Sequence, residues 1–447
     1  MKKILYIAIA ASTISACSPN IKSEVSRAGT ADFSRYVAVG NSLCAGFADN
    51  ALYREGQENS YPNMLAQQFR LAGGGDFKIP YMAATGKGNN AGTPALGKLE
   101  LMPNGMGGYS PVASSDTTPV YDAATVVPAG PYNMIGVPGA RALDALSPFT
   151  ALNPFFARTC LTPGVSTMIS EAKRVDPTFF TFWLGANDVL GYATNGASGP
   201  IQTNPNSFAF PGTLSHPDAV GASIRACIVE LTKNGAKGAI ANIPDVQSTP
   251  YFTTVKHDDL VLSRQGQVDS LNAGYAAYNA AVPAAYKITW ALGRNAIVIL
   301  DSLAPGYRRK ATPQDLICLS AASLLPTGPG SATPLADNYV LDASEVALVQ
   351  QYTNDYNARI KALATEFGLA FVDANSYLKT FANGLKYNGV GLSATFVSGG
   401  GFSLDGVHPT PRGYALIANE FIKAINKTYG STLHEVDAMK YRSLLLP

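Results

Sequence analysis

The sequence predicts a doubly wound α/β domain, and three observations carry that expectation. Short apolar runs rich in β-branched and aromatic residues recur along the chain and stop at turns marked by glycine or asparagine. Segments with helical spacing of apolar residues lie between them. Polar residue types capable of catalysis gather where the runs end, which is where open α/β sheets hold their ligands. Of the 447 residues 47% are hydrophobic and 14% charged, enough for a large core and too apolar for a disordered chain. A formal net charge of +2 leaves no electrostatic footprint for nucleic acid. The 42 glycines and 29 prolines predict long irregular loops.

Taken in order, Met1-Lys2-Lys3, an apolar segment over 4–11 and Ser15-Ala16-Cys17 read as an export signal over 1–16. Ile14-Ser15-Ala16-Cys17 resembles the bacterial lipobox, which implies that Cys17 becomes the lipid-modified first residue of the mature protein. The anchor would then be acyl chains held in a membrane, each buried methylene contributing roughly 0.8 kcal/mol. Residues 17–32 read as the tether. The expected location is the cell envelope, as an outer-membrane lipoprotein facing periplasm or exterior. Cys44, Cys160, Cys227 and Cys318 form no Cys-x-x-Cys pair, which argues against a zinc site and leaves disulfide pairing open.

The first strand is Tyr36-Val37-Ala38-Val39-Gly40, apolar on both faces as in a parallel sheet. Gly40 is expected to supply a sharp turn at its end. Residues 61–71 read as a helix with proline in its first turn. The stretch 73–130 is rich in Gly, Pro, Ala, Ser and Thr and lacks clean periodicity, an insertion of a length that tends to be functional, for instance as an active-site cover. A second run, 132–136, leads into Val137-Pro138-Gly139-Ala140-Arg141; a third, 177–184, ends at Gly185-Ala186-Asn187-Asp188. Residues 217–234 carry apolar side chains at Val220, Ile224, Ile228 and Leu231 and read as a helix. Residues 237–244 give the fourth strand, 268–282 a helix, 296–300 another apolar run and 305–343 a second Pro/Gly/Ser-rich insertion. The helix over 344–367, with Ser344 as N-cap, is stopped by Gly368, and 369–373 is the fifth sheet strand. Asp405-Gly406-Val407-His408 precedes a closing helix over 411–428. One domain over 33–430 with insertions, followed by a tail over 431–447, fits this order.

Ser42 follows the first strand, and a serine hydroxyl becomes a useful nucleophile only with an adjacent base. Of four histidines, His408 has a carboxylate three residues earlier. A tight turn lets Asp405 accept from one imidazole nitrogen, which fixes the tautomer and leaves the other nitrogen for serine. The Ser42 N–H, the Gly139 N–H and the Asn187 amide are candidate donors to a developing oxyanion. Each feature has a plainer reading when taken alone: Ser42 as a helix cap, Asp405 and His408 as a solvated loop, Gly139 and Asn187 as turn residues.

Together the four blocks resemble the SGNH (GDSL) hydrolases. Gly40-Asn41-Ser42-Leu43 is similar to the Gly-Asp-Ser-Leu block, Val137-Pro138-Gly139 to the second, Gly185-Ala186-Asn187-Asp188 to Gly-x-Asn-Asp, and Asp405-Gly406-Val407-His408 to Asp-x-x-His. They come in the family's order, and a lipoprotein form as in Bacteroidetes-type bacteria is the nearest kind. The resemblance implies a flavodoxin-like three-layer α/β/α sandwich with a mainly parallel five-stranded sheet. It also implies an acyl-enzyme esterase in which Ser42 is nucleophile, His408 base and Asp405 its orienter, with Ser42, Gly139 and Asn187 in the oxyanion hole. No metal or organic cofactor is implied. Asn41 departs from the family's aspartate. The alternatives are a non-catalytic lipoprotein binding glycans or partners, and an O-acyltransferase; acetylated polysaccharide, lysophospholipid and small acyl esters all stay open as substrates. The α/β-hydrolase elbow fits less well, because Cys44 stands where its second glycine belongs.

Overall fold

The computed structural model describes residues 25–104, 108–119, 127 and 129–444. The export signal, Cys17 and most of the tether lie outside the described residues.

Five strands form one parallel sheet: β1 (Tyr36–Gly40), β2 (Met134–Gly136), β3 (Phe179–Trp183), β4 (Lys237–Ala241) and β5 (Ala370–Val372). Their spatial order is β2-β1-β3-β4-β5. The crossover from β2 to β3 passes β1, so the topological switch point lies between β1 and β3, where ligands of such sheets bind. All five sheet strands expected from the sequence are present, and the 296–300 run is not among them: Val298–Leu300 pairs antiparallel with Arg308–Lys310 outside the sheet.

Strand side chains alternate between two cores. Val37, Val39, Phe180, Phe182 and Ile240 point into one, and Tyr36, Ala38, Phe179, Trp183 and Ala239 into the other. Because both faces are covered, the strands read as unbroken apolar runs. The first core is closed by α3 (Met168–Lys173), α4 (Asn187–Ala193), α5 (Pro217–Thr232) and α6 (Ala343–Glu366); the second by α2 (Tyr61–Leu71) and α7 (Pro411–Tyr429). Burying each Val, Ile or Phe side chain contributes about 1.5–3 kcal/mol, so the three layers hold together chiefly by burial.

Helix ends follow local chemistry. α7 begins with Thr410 accepting from the Gly413 N–H at 3.1 Å, has proline in its first turn and ends at Gly430 in the left-handed region. α6 is capped by Asp342 and not by Ser344. The Asp342 carboxylate accepts from the Ser344 and Glu345 N–H groups at 2.8 and 3.0 Å, and Glu345 reaches back to the Asp342 N–H. A charged acceptor holding two donors outcompetes a hydroxyl for the position.

The two insertions are more structured than their composition suggests. Residues 73–119 carry an antiparallel hairpin, Leu99–Pro103 with Tyr109–Ala113, and are tied to the loop after β1 by the Leu52–Asn89 bridge. Residues 255–340 enclose a separate apolar core that includes Trp290, Ile297, Ile299, Ile317 and Leu335. Its Leu319–Ser323 turn reaches the main domain beside Gly406, and Ser320 Oγ meets Tyr251 Oη at 3.1 Å.

Candidate active site

β1 delivers Ser42 to the sheet edge. Gly40 does not adopt a left-handed angle as expected; its role is close approach. A Cβ there would lie 2.6 Å from Cys44 Cβ and 2.9 Å from the Trp183 carbonyl, and one at Gly136 would lie 2.4 Å from the Ala45 nitrogen. Both glycines let the short helix α1 (Ser42–Ala45) sit directly on the strand ends. Asn41 caps that helix, its Oδ1 accepting from the Leu43 N–H at 3.0 Å. A neutral amide therefore serves as the cap, and Ser42 keeps its hydroxyl out of the capping.

The hydroxyl faces a histidine brought 366 residues along the chain: Ser42 Oγ and His408 Nε2 are 2.9 Å apart. His408 Nδ1 lies 2.9 Å from Asp405 Oδ2. The 403–408 turn is closed by the Ser403 N–H donating to the His408 carbonyl at 2.7 Å, with Gly406 at a φ of +73°. The Tyr251 N–H donates to the Gly406 carbonyl at 2.9 Å, and the Phe47 ring lies 4.9 Å from the imidazole. Asp405 accepts from four N–H groups: Val407 and His408 on Oδ1, Asn50 and the imidazole on Oδ2. Burial alone would raise its carboxyl. The attraction of His408 and the hydrogen bonds outweigh that and hold it at about 2, so it is ionised throughout the neutral range.

Asp49 lies behind Asp405. It is buried with a φ of 51° and accepts from the Leu404 N–H at 3.0 Å and the Tyr53 hydroxyl at 2.8 Å. Burial and the nearby Asp405 charge raise its carboxyl. It welds the loop after β1, which holds Ser42, to the loop holding His408.

Gly139 and Asn187 arrive from the neighbouring strand ends. Gly139 sits at a φ of +81°, a region open to glycine at little cost. Asn187 Nδ2 donates to the Ala140 carbonyl at 2.9 Å, and a primary amide keeps a second hydrogen. Among the described residues, neither the Ser42 N–H nor the Gly139 N–H has an acceptor. The fully buried Asp188 accepts from the Ala142 N–H at 2.6 Å, so Asn187 and Asp188 hold the Gly139 loop from adjacent positions.

Burial pushes the Asp188 carboxyl up to about 7, against the pull of the Ala142 N–H and the nearby Arg141. The folded chain holds this proton more tightly than the unfolded chain, where the value is about 4. Stability is therefore lost as pH rises from about 4 through about 7. Asp188→Asn keeps an acceptor for the Ala142 N–H and turns its amide towards Ser215, the buried hydroxyl that neighbours the Asp188 carboxyl. The variant is expected to exceed the wild type in stability by about 1–3 kcal/mol at pH 8, with the difference fading near pH 4. Urea midpoints at pH 4, 6 and 8 measure this; a difference independent of pH contradicts it.

The sequence profile of the family described as GDSL-like Lipase/Acylhydrolase matches residues 36–421, from the start of β1 into α7, and takes in all four blocks. The chain belongs to that family. No curated protein matches the sequence significantly. Among solved structures, this GDSL-like protein resembles a GDSL-like lipase from Parabacteroides merdae (TM-score 0.33, 11% identity, covering 90% of this chain and 99% of that one). It also resembles an acylhydrolase from Bacteroides fragilis (0.30, 15%, 91% and 92%). A third is a mutant of an acetyl-xylooligosaccharide esterase from Geobacillus stearmophilus (0.32, 12%, 89% and 97%). At these scores the likenesses carry no weight; the family rests on the sequence match and the fold on the sheet described above.

In this GDSL-like protein, Ser42, Asn187 and His408 line one cleft whose walls are largely apolar, with Leu190, Val246, Leu378 and Phe402 among them. Gly139 borders a second, larger groove. No described residue of the 73–130 insertion lines the Ser42 cleft, so the expected cover is not what these residues form. They are pinned instead to the loop that supports Asp405. The other histidines stay apart from this cleft: His216 Nδ1 caps α5 by accepting from the Asp218 N–H at 3.2 Å, and His257 lies near Asp258 in the 255–340 unit. Cys44, Cys160, Cys227 and Cys318 are buried and free. Among the described residues, no group of three or more His, Cys, Asp and Glu is placed to hold a metal ion, and no helix is long and apolar enough to cross a membrane.

Sequence reasoning missed Asp49, Asn50 and Phe47, which support the Asp405–His408 loop, and gave no role to Asp188 or Arg141. Asp188 had a legible cue, standing beside Asn187 at a strand end. Asp49 had none, because an acidic residue in a polar loop is ordinarily solvated.

Proposed function

We propose that this GDSL-family protein is a serine esterase in which Ser42 is the nucleophile, His408 the general base and acid, and Asp405 the group that orients and stabilises the imidazole. The observation that carries this reading is the unbroken contact from Ser42 Oγ through His408 to Asp405, 2.9 Å at each step. As Ser42 Oγ bonds to the ester carbonyl carbon, its proton passes to His408 Nε2. The imidazolium is balanced by the Asp405 carboxylate, whose low value keeps it charged. The carbonyl oxygen takes the negative charge and accepts hydrogen bonds from the Ser42 N–H, the Gly139 N–H and the Asn187 amide. Collapse breaks the bond to the alkoxy oxygen, which leaves with the His408 proton; water, deprotonated by the same nitrogen, then releases the acid and restores Ser42.

A fluorophosphonate probe is expected to label native protein at Ser42 and to leave Ser42→Ala unlabelled. Labelling elsewhere, or none on native protein, counts against the assignment. We also propose that Cys17 carries the lipid anchor in the cell envelope, on the strength of the lipobox-like Ile14-Ser15-Ala16-Cys17. A Cys17→Ser variant is expected to move from membrane to soluble fractions on cell fractionation; retention of the variant in membranes overturns this.

A further inference from the structure

A groove runs away from Gly139 along the loop that follows β2, the edge strand of the sheet, and His408 is not among the residues that line it. It shares a wall with the Ser42 cleft, because Ala140 lines the groove while its carbonyl is held by Asn187, which lines the cleft. Four large apolar side chains stand along it and are mostly exposed: Phe149 (69%), Leu152 (84%), Phe208 (70%) and Phe210 (66%). Such residues normally avoid water, and a cluster of them beside a reactive centre marks a surface that is covered during function.

The polar side chains bordering the groove are already engaged within the protein. Arg141 chelates Asp144 and donates to the Ala209 and Phe210 carbonyls at 2.7 and 2.9 Å, while Asn153 donates to the Pro138 carbonyl at 2.8 Å. Gln202 donates to the Ser207 carbonyl and accepts from the His216 N–H. The groove thus offers an apolar surface to a ligand that brings no hydrogen-bonding groups. It is also held in place. Arg141, two residues after Gly139 and itself buried, fixes the segment bearing Phe208 and Phe210, whose rings meet edge-on at 4.8 Å.

We propose that this groove binds the acyl chain of the substrate, so that esters of medium and long fatty acids, not acetates, are the preferred class. The inference rests on the esterase reading above and on one constraint of that chemistry. The leaving oxygen must receive a proton from His408, so the alcohol lies on the His408 side. The acyl group then extends the other way, past the Gly139 N–H and into the groove. Full burial of each added methylene raises kcat/KM about fourfold until the groove is filled.

The test compares p-nitrophenyl acetate, butyrate and octanoate, which share one leaving group, in the wild type and in Phe208→Ser/Phe210→Ser. The wild type is expected to prefer octanoate over acetate by at least about thirtyfold. The double variant should lose tenfold or more on octanoate while acetate stays within about twofold, which also shows that it is folded; Phe149→Ser should act in the same direction. A flat chain-length profile with Ser42-dependent acetate cleavage overturns the groove assignment and leaves the esterase reading intact. Equal losses on all esters, or a variant that loses only binding to phosphatidylcholine vesicles, also overturn it. A wild type inert towards every ester removes both readings together.

Discussion

Ser42→Ala is expected to lower kcat towards p-nitrophenyl esters by roughly 10⁴–10⁶-fold, leaving only the rate that the cleft and its N–H donors can supply. The fold should persist, since the hydroxyl's contact is to His408 Nε2 and the cap of α1 belongs to Asn41. Loss of one member removes the covalent route as a whole, so His408→Ala combined with Ser42→Ala should be hardly worse than Ser42→Ala alone. Steady-state kinetics of the two variants decide it. A Ser42→Ala protein retaining a tenth of the activity, or a double variant whose losses multiply, contradicts the assignment.

Asp405→Asn is expected to reduce kcat by about 10⁴-fold, because it disturbs the proton inventory more than the shape. Each Asp405 oxygen accepts from two N–H groups, and only a carboxylate can accept from all four. An amide has one acceptor oxygen. If that oxygen stays with the Val407 and His408 N–H groups, the exposed Asn50 N–H turns to water, and the new NH₂ faces His408 Nδ1 and favours the tautomer with its proton on Nε2, pointing at Ser42. That nitrogen can no longer take the serine proton. If the amide turns the other way, the 403–408 turn loses acceptors and the cost is about 1–3 kcal/mol for each unsatisfied buried group. The two cases separate on measurement: a large fall in kcat with near wild-type unfolding midpoint in the first, both lowered in the second. Activity within tenfold of the wild type would remove Asp405 from the role given to it. Because Asp405 is held at about 2, loss of activity between pH 4 and 7 must come from another group. Its contribution to stability is present above the unfolded value near 4 and is lost only as pH falls towards 2.

Much of the sheet was legible because parallel strands covered on both faces leave nothing to alternate. Tyr36-Val37-Ala38-Val39 and Phe179-Phe180-Thr181-Phe182 read as continuous buried runs, and the runs' ends marked the sheet edge. The insertions were less legible. A hairpin such as Leu99–Pro103 with Tyr109–Ala113 is made of pairings between half-exposed strands, and the core around Trp290 and Ile297 assembles from short pieces with no period of their own. Gly40 was read as an angle when it serves as a gap, a distinction set by Cys44 and Trp183 and invisible in one residue's identity.

The sequence by itself determined the α/β class, the five sheet strands and the residue types at their ends: Ser42 after β1, Gly139 after β2, Asn187 after β3, and Asp405 with His408 before α7. Those are local facts, carried by hydrophobic period and by spacing within a single turn. Only the tertiary structure decided that a hydroxyl and an imidazole 366 residues apart meet at 2.9 Å, that Asn41 takes the capping and leaves Ser42 free, and that Asp49 and Asn50 hold the Asp405 loop in place. It also decided that the aromatic segment at Phe208 and Phe210 borders the Gly139 groove. Distances between remote residues depend on how whole layers pack, and packing is a property of all the side chains at once.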